Sequence, residues 1–333
     1  MIGHWEGEIT APTKKTPILL DVFENKVLLS LPAFGIFGIE GRYCLYRDKG
    51  FNTYFEQEEH PITMNLNFFK SRDRVTGVID QDDDTFDVRL DRLFARPINC
   101  TENSRNVYYL NILKMSVLTP EEYQKTTGGI IYREIPDTVK KRISEFYNLV
   151  DSRHGTLEDV LKMINAVHGR FEHTPNFAPE YRVNTLSIID YGEKRINCRA
   201  FAILFNELAL TNGYKSRYVT CLPYRDWESD CHVVNEIYAD SLNKWIVVDA
   251  NMGTVIENAC GDCLNIREYR QALSAGEECR VSEKSSYNGK KIGSFEYNSY
   301  MVKNMYKFHY KAAYGFDSEN EQTLVTKIDI NNA

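Results

Sequence analysis

The segment 197–250 contains the pattern that decides the fold. It opens with a helical stretch, NCRAFAILFNELAL (197–210), and continues with three apolar runs, SRYVTCL (216–222), CHVVNEIYA (231–239) and KWIVVDA (244–250). Asn197 is a favourable N-cap residue, so the pattern predicts a helix that begins at Cys198 and ends at Asn212-Gly213. The three runs are predicted strands, and the short connection 240–243 predicts an antiparallel hairpin between the last two.

Cys198 occupies a position that suits a reactive thiol. The unpaired N–H groups and the positive dipole end of a helix N-terminus favour the thiolate, which is the nucleophile. His232 begins the second strand and Asp249 lies near the end of the third, so the predicted hairpin brings them together. A lone cysteine in a helix is usually a small core residue. Together with the cap, His232 and Asp249, however, Cys198 is predicted to be a nucleophile, with His232 as its base and Asp249 as the group that orients the imidazole.

The order of these residues, on a helix and two strands, resembles the transglutaminase-like superfamily, and in particular bacterial transglutaminase-like proteins. The resemblance is carried by the 197–210 helix, by GYKSRYV (213–219), DCHVVNEIY (230–238) and KWIVVDA, and downstream by ACGDCLNIREYRQALSAGE (259–277) and YMVKNMYKF (300–308). It covers roughly residues 136–316. It implies a papain-like core with a Cys-His-Asp triad at Cys198, His232 and Asp249, and it leaves open which carbonyl is attacked.

The N-terminal part of the chain has a different periodicity. Alternating apolar runs separated by turn residues predict eight strands, at 5–9, 17–23, 26–31, 39–46, 51–55, 62–69, 74–79 and 85–93. A polar stretch, 96–106, follows, and after it helical patterns appear at 136–150 and from Thr156 to Val167. We therefore predict an α+β protein: a small antiparallel, barrel-like β domain at 1–95, a linker and the start of the catalytic domain at 96–135, and the catalytic domain at 136–333. The β domain is a candidate for binding a ligand or partner, and a passive scaffold is the alternative.

Composition excludes several classes of protein. The chain has 333 residues, 43% of them hydrophobic, and a net charge of −7. No stretch approaches the ~18 unbroken apolar residues of a membrane span, and the start, MIGHWEGEI, lacks the basic and apolar regions of a secretory signal. The mild acidity argues against nucleic-acid binding. We therefore expect a cytoplasmic protein that binds neither membrane nor nucleic acid.

The predicted activity is cysteine-dependent acyl transfer through a thioester acyl-enzyme. The attacked carbonyl would be an amide or thioester in a peptide, protein or carrier-bound acyl substrate, and no cofactor is expected. The acceptor is an amine, which gives amide bond formation, or water, which gives a peptidase or amidase. The alternative is a non-catalytic interaction module that retains the papain-like core.

Some weaker candidates accompany the predicted triad. Tyr191 and Trp227 are candidates for lining a substrate cleft. Trp227 lies in the polar loop 223–230, and exposed aromatic residues in such loops often contact ligands. The Cys260-x-x-Cys263 pair is typical of a redox or zinc site, and a zinc-dependent hydrolase is a further alternative, but free thiols are favoured. The sequon at 99–101 is interpreted as incidental. The backbone N–H of Cys198 is one predicted oxyanion donor, and a second donor has no signature in the sequence.

Overall fold

The chain divides into two compact units. The computed structural model describes residues 1–46, 49–57, 60–69, 72–98, 105–148, 155–225 and 228–330. Unit 1 comprises Met1–Ser116 and Ile330–Ala333, and unit 2 comprises Val117–Asp329. Trp227 and the sequon at 99–101 lie outside the described residues.

Unit 1 is built on a closed barrel of eight antiparallel strands in chain order. The strands are β1 Gly3–Ala11, β2 Lys14–Val22, β3 Val27–Leu31, β4 Ile36–Tyr46, β5 Gly50–Phe55, β6 Ile62–Phe68, β7 Arg74–Gln81 and β8 Asp84–Phe94. The barrel closes because β1 pairs with β8 as well as with β2. Each predicted strand corresponds to one of these, and the predicted barrel-like domain is confirmed.

The interior of the barrel is filled by its own side chains. An eight-stranded barrel is just wide enough for inward side chains to fill it or to leave space for one small ligand. Here the interior is apolar and packed, with a core of Trp5, Ile18, Leu20, Val22, Val27, Leu29, Phe51, Phe55, Ile62, Met64, Leu66, Val75, Ile79, Val88 and Leu90. Any ligand or partner of this unit would therefore bind to its outer surface.

Unit 1 extends beyond the predicted boundary at residue 95, because a helix packs on the barrel. Helix α1, Arg105–Lys114, begins in the stretch predicted to be a linker. Tyr108 of α1 is buried and donates a hydrogen bond to Glu6 of β1 at 3.1 Å. Asn111 donates to the carbonyl of Ile98 at 2.6 Å. The boundary between the units therefore follows α1 instead of preceding it.

A buried histidine lies where α1 meets the barrel. His4 is fully buried, with Nδ1 2.8 Å from Asp21 and Nε2 2.8 Å from Glu6. Burial lowers the pKa of His4, but the two carboxylates outweigh burial and raise it to about 9. Because both ring nitrogens face carboxylates, the imidazolium is the form that this site stabilises.

We expect the stability of unit 1 to depend on this charge. A histidine whose folded pKa is raised contributes stability that is fully present below pH 6.5 and is lost as the pH rises through about 9. The free energy of unfolding should fall by about 3 kcal/mol over this range. 19F NMR of the full chain labelled with 5-fluorotryptophan, in urea, follows unit 1 through Trp5. His4→Gln should remove most of the pH dependence, and an unchanged dependence would show that His4 is not its source.

Unit 2 has an antiparallel seven-stranded sheet with helices packed on it. Its helices are α2 Pro120–Thr127, α3 Asp137–Tyr147, α4 Leu157–His168, α5 Thr185–Tyr191, α6 Cys198–Thr211, α7 Ile266–Ala275 and α8 Ser294–Val302. The strands after the barrel are β9 Ser116–Val117, β10 Ile131–Tyr132, β11 Glu172–His173, β12 Arg195–Ile196, β13 Ser216–Leu222, β14 His232–Ala239, β15 Lys244–Asp249, β16 Thr254–Asn258, β17 Cys279–Val281, β18 Ser286–Tyr287, β19 Lys290–Lys291, β20 Lys307–Lys311, β21 Ala313–Tyr314, β22 Thr323–Thr326 and β23 Asp329–Ile330. None of the described helices has the length and apolar character needed to cross a bilayer.

The central elements of unit 2 agree with the pattern in the sequence. The sheet order is β17-β16-β15-β14-β13-β20-β22, so the predicted hairpin β14–β15 is at its centre. Helix α4 begins where the helical pattern predicted it, and a capping box of Thr156 and Asp159 starts it. Helix α6 packs on β13 and β14, and Asn235 of β14 donates to the carbonyl of Ala202 in α6 at 2.9 Å. This bond links the helix that begins at Cys198 to the strand that begins at His232.

A buried ion pair supports the same sheet. Glu236 of β14 accepts hydrogen bonds from Arg217 of β13 at 2.9 Å, from Tyr123 at 2.8 Å and from the N–H of Ile266 at 3.0 Å. The guanidinium of Arg217 lies over the ring of Trp245, 4.1 Å from its centroid. Because a buried charge is tolerated only when it is paired and hydrogen-bonded, these contacts compensate the charge of Glu236 in the core.

Candidate active site

Cys198 is the first residue of α6. The preceding Asn197 has an extended backbone, and its side chain accepts a hydrogen bond from the N–H of Ala200 at 3.0 Å, as an N-cap does. The thiol is partly exposed at this end of an otherwise buried helix. The predicted start of the helix is confirmed, and the thiol lies where the free N–H groups of the first turn favour negative charge.

His232 and Asp249 meet at one end of the β14–β15 hairpin. Nε2 of His232 lies 2.6 Å from Oδ2 of Asp249, and both side chains are buried. The carboxylate also accepts hydrogen bonds from the hydroxyl of Tyr297 at 2.9 Å and the N–H of Met252 at 3.0 Å. Since Nε2 is taken by Asp249, Nδ1 is the nitrogen of His232 that remains for Cys198.

The electrostatics of the three residues are coupled. Burial lowers the pKa of His232, but the adjacent Asp249 carboxylate outweighs burial and raises it to about 10. Burial raises the pKa of Cys198, but hydrogen bonds with the imidazoles of His173 and His232 outweigh burial and lower it to about 6. The pKa of Asp249 is lowered, because His232 and its other donors outweigh the effect of burial. Between pH 6 and 10 the site therefore favours a thiolate beside an imidazolium.

His173 is a histidine of the candidate site that the sequence analysis did not identify. It lies on β11, a strand of two residues that pairs in parallel with β12, where His173 faces Ile196, two residues before Cys198. A strand this short has no periodicity, and its partner lies over 20 residues away along the chain. The only available signal was that the chain contains few histidines, seven in all.

Residues 147–250 match the sequence profile of the Transglutaminase-like superfamily. The matched range contains Cys198, His232 and Asp249. This part of the chain is similar to the transglutaminase-like superfamily. The match supports a cysteine-dependent catalytic role, and the resemblance predicted from the sequence is confirmed.

Two solved structures are similar to the chain at low identity. A Cytophaga hutchinsonii protein, provisionally described as a cysteine protease, is 12% identical, with a TM-score of 0.26, and the alignment covers 89% of this chain and 91% of that one. A Parabacteroides distasonis protein, provisionally described as a protease, is 11% identical, with a TM-score of 0.29, and the alignment covers 61% of this chain and 42% of that one. Such scores carry no information on chemistry. No curated protein matches the chain significantly.

The other candidates are Tyr191, Trp227 and the Cys260–Cys263 pair. Tyr191, at the end of α5, is partly exposed and stacks on Tyr181 with a centroid distance of 3.8 Å. Trp227 lies outside the described residues. Cys260 is exposed and Cys263 is buried, and both are free thiols. Within the described ranges, no group of three or more His, Cys, Asp or Glu side chains is arranged to hold a metal ion.

We expect the rate at which Cys198 is alkylated to depend on pH as it does for a thiol with a lowered pKa. The rate of labelling by iodoacetamide should rise through about pH 6 and then become constant, because only the thiolate reacts. Mass spectrometry of the Cys198 peptide after timed labelling from pH 4.5 to 9.5 measures this rate. The exposed Cys44 and Cys260 provide internal comparisons in the same sample. A Cys198 rate that still rises above pH 8 would contradict the expectation.

We also expect Asp249→Asn to shift this profile. Removing the carboxylate charge removes the main influence that raises the pKa of His232. The imidazole then stabilises the thiolate less, so the midpoint of Cys198 labelling should move up by at least about one pH unit. Asp240→Asn, at the exposed far turn of the same hairpin, is the matched control and should leave the midpoint in place. If both variants keep the original midpoint, Asp249 does not act on the thiol through His232.

Proposed function

We propose that the chain is a cysteine-dependent acyl-transfer enzyme that works through a thioester acyl-enzyme. The proposal is carried by one observation, the arrangement of three side chains at the start of α6. Asp249 contacts His232, and His232 acts on the thiol of Cys198. The 2.6 Å contact between His232 and Asp249, and the lowered pKa of Cys198, are what a nucleophile and base of this type require.

In the proposed reaction, the Cys198 thiolate attacks the carbonyl carbon of an amide or thioester. The charge moves to the carbonyl oxygen, and His232 gives its Nδ1 proton to the leaving nitrogen or sulfur as the bond to carbon breaks. The acyl group is then joined to Sγ as a thioester. His232 next takes a proton from the acceptor, which attacks the thioester carbonyl, and the departure of Sγ restores the thiolate and imidazolium. Asp249 keeps its charge throughout and stabilises the imidazolium.

We propose water as the principal acceptor. Cys198 and His173 are both partly exposed, and Tyr287 beside His173 is 37% exposed. Because an open site admits water to the thioester, hydrolysis competes strongly with amine attack. An open site also suits an acyl group carried by a peptide, a protein or a carrier, and these are the proposed donors.

The first test is acyl-enzyme formation on Cys198. Incubation with p-nitrophenyl acetate should give a burst of nitrophenol, and mass spectrometry should find an acetyl group on the Cys198 peptide. Cys198→Ala and His232→Ala should reduce turnover by roughly 10³-fold or more, because removing either member of such a pair removes most of its effect. Cys44→Ala replaces an exposed cysteine of unit 1 and should leave turnover unchanged.

The acceptor is tested by adding hydroxylamine to the same reaction. A hydrolase gives mainly acetate at low hydroxylamine concentration, whereas an amine transferase gives mainly the hydroxamate. If Cys198 is alkylated rapidly but no ester or thioester is turned over faster by wild type than by Cys198→Ala, the acyl-transfer proposal fails. That result would favour the non-catalytic module.

A further inference from the structure

A second imidazole lies at the Cys198 thiol. His173 is placed by the parallel pairing of β11 with β12, in which the N–H of Thr174 donates to the carbonyl of Ile196 at 2.8 Å. Cys198 follows Ile196 by two residues, so this pairing places His173 beside the start of α6, and the imidazoles of His173 and His232 both lower the pKa of the thiol. The thiol therefore has imidazoles from two separate parts of the core, and the reaction described above uses only His232.

The backbone of His173 is held by a neighbouring β-turn. Asn288 and Gly289 connect β18 to β19, and both have positive φ, +50° and +78°, as the two central residues of a tight hairpin turn require. The Asn288 side chain accepts from the N–H of His173 at 2.6 Å and donates to its carbonyl at 3.0 Å. This pair of hydrogen bonds fixes the backbone of β11 against the turn.

The same hairpin orients the imidazole. The hydroxyl of Tyr287 lies 2.8 Å from Nδ1 of His173, and the two rings are 5.2 Å apart. Burial and the proximity of Cys198 raise the pKa of Tyr287, so the phenol keeps its proton. When Tyr287 donates that proton to Nδ1, the neutral imidazole carries its own proton on Nε2. Nε2–H is then the donor of His173 that remains for the Cys198 side of the ring.

The partners of the two histidines indicate different roles. His232 faces the carboxylate of Asp249, which stabilises an imidazolium and so suits a base. His173 instead faces a phenol hydroxyl, which can donate to Nδ1 and leaves Nε2–H as a hydrogen-bond donor. When the thiolate attacks a carbonyl, its charge passes to the carbonyl oxygen, and a donor already beside Sγ is in place to stabilise that oxygen.

We propose that His173, oriented by Tyr287, donates the second hydrogen bond of the oxyanion hole, beside the backbone N–H of Cys198. The inference rests on the proposed acyl-transfer function and adds a catalytic residue to it. Tyr287 is a positioning residue, because it acts through the imidazole, and Asn288 positions the strand that carries His173.

The test compares two reactions of the same thiol. Acylation by p-nitrophenyl acetate forms an oxyanion, whereas displacement of iodide from iodoacetamide does not. His173→Leu should reduce the rate of acylation by roughly 10²-fold or more, the usual effect of losing one oxyanion donor. Alkylation at pH 9, where the thiolate is formed in all variants, should change by less than about threefold. His173→Gln retains an N–H donor and should recover part of the acylation rate.

Tyr287→Phe tests the orientation without altering His173. It removes the hydroxyl from Nδ1, so acylation should fall by roughly tenfold while alkylation at pH 9 is unchanged. Tyr54→Phe, an exposed tyrosine of unit 1, is the matched control and should leave both rates unchanged. Circular dichroism checks the fold of each variant, and if His173→Leu does not fold, His173→Gln and Tyr287→Phe still decide the question.

The outcomes separate this inference from the proposed function. If Cys198→Ala abolishes acylation but the His173 and Tyr287 variants acylate at the wild-type rate, the oxyanion role is overturned and the acyl-transfer function stands. If the variants lose alkylation and acylation equally, His173 acts on the thiolate alone and the oxyanion role is again overturned. If Cys198→Ala acylates like wild type, the proposed function itself fails.

Discussion

Asp249 carries its charge in a fully buried position, and the charge has to be compensated there. An isolated carboxylate in an apolar interior costs several kcal/mol or more. Here the cost is offset by three donors: the imidazole of His232, the hydroxyl of Tyr297 and the N–H of Met252. Because the carboxylate remains ionised, the imidazole beside it is held as a cation, and that cation in turn stabilises a thiolate at Cys198. The electrostatics of the candidate site therefore depend on Asp249.

The sheet keeps these charges at fixed separations. Strand β14 carries His232 at its start and Glu236 four residues later, and each is paired with a charged partner on a neighbouring strand. Arg217, the partner of Glu236, is further held by stacking on Trp245 of β15. Since removing one partner of a buried pair leaves an uncompensated charge, an arrangement of the strands that separated these partners would be strongly disfavoured. The same arrangement keeps His232 beside Asp249.

Much of the candidate site could be predicted from the sequence because it is built from local signals. The N-cap at Asn197 and the apolar periodicity that follows it indicate where α6 begins, and therefore where Cys198 lies. The four residues between β14 and β15 predict a hairpin, and a hairpin brings its two open ends together. In the same way, alternation and turn residues predicted each strand of the barrel. These features depend on residues near one another in the chain, so the pattern in the sequence contains them.

Contacts between distant, short segments were decided only by the tertiary structure. The parallel pairing of β11 with β12 involves two residues on each side, and it is this pairing that places His173 near Cys198. Tyr287 and Tyr297 come from later segments whose side chains show no pattern pointing to His173 or Asp249. The packing of α1 on the barrel likewise depends on single bonds, such as that from Tyr108 to Glu6. Periodicity and capping report how a segment folds and which of its faces is buried, whereas the meeting of two such segments depends on how the whole core packs. The sequence by itself therefore determined the candidate nucleophile, the histidine and aspartate proposed to act with it, and the elements that carry them. Only the tertiary structure decided what surrounds them.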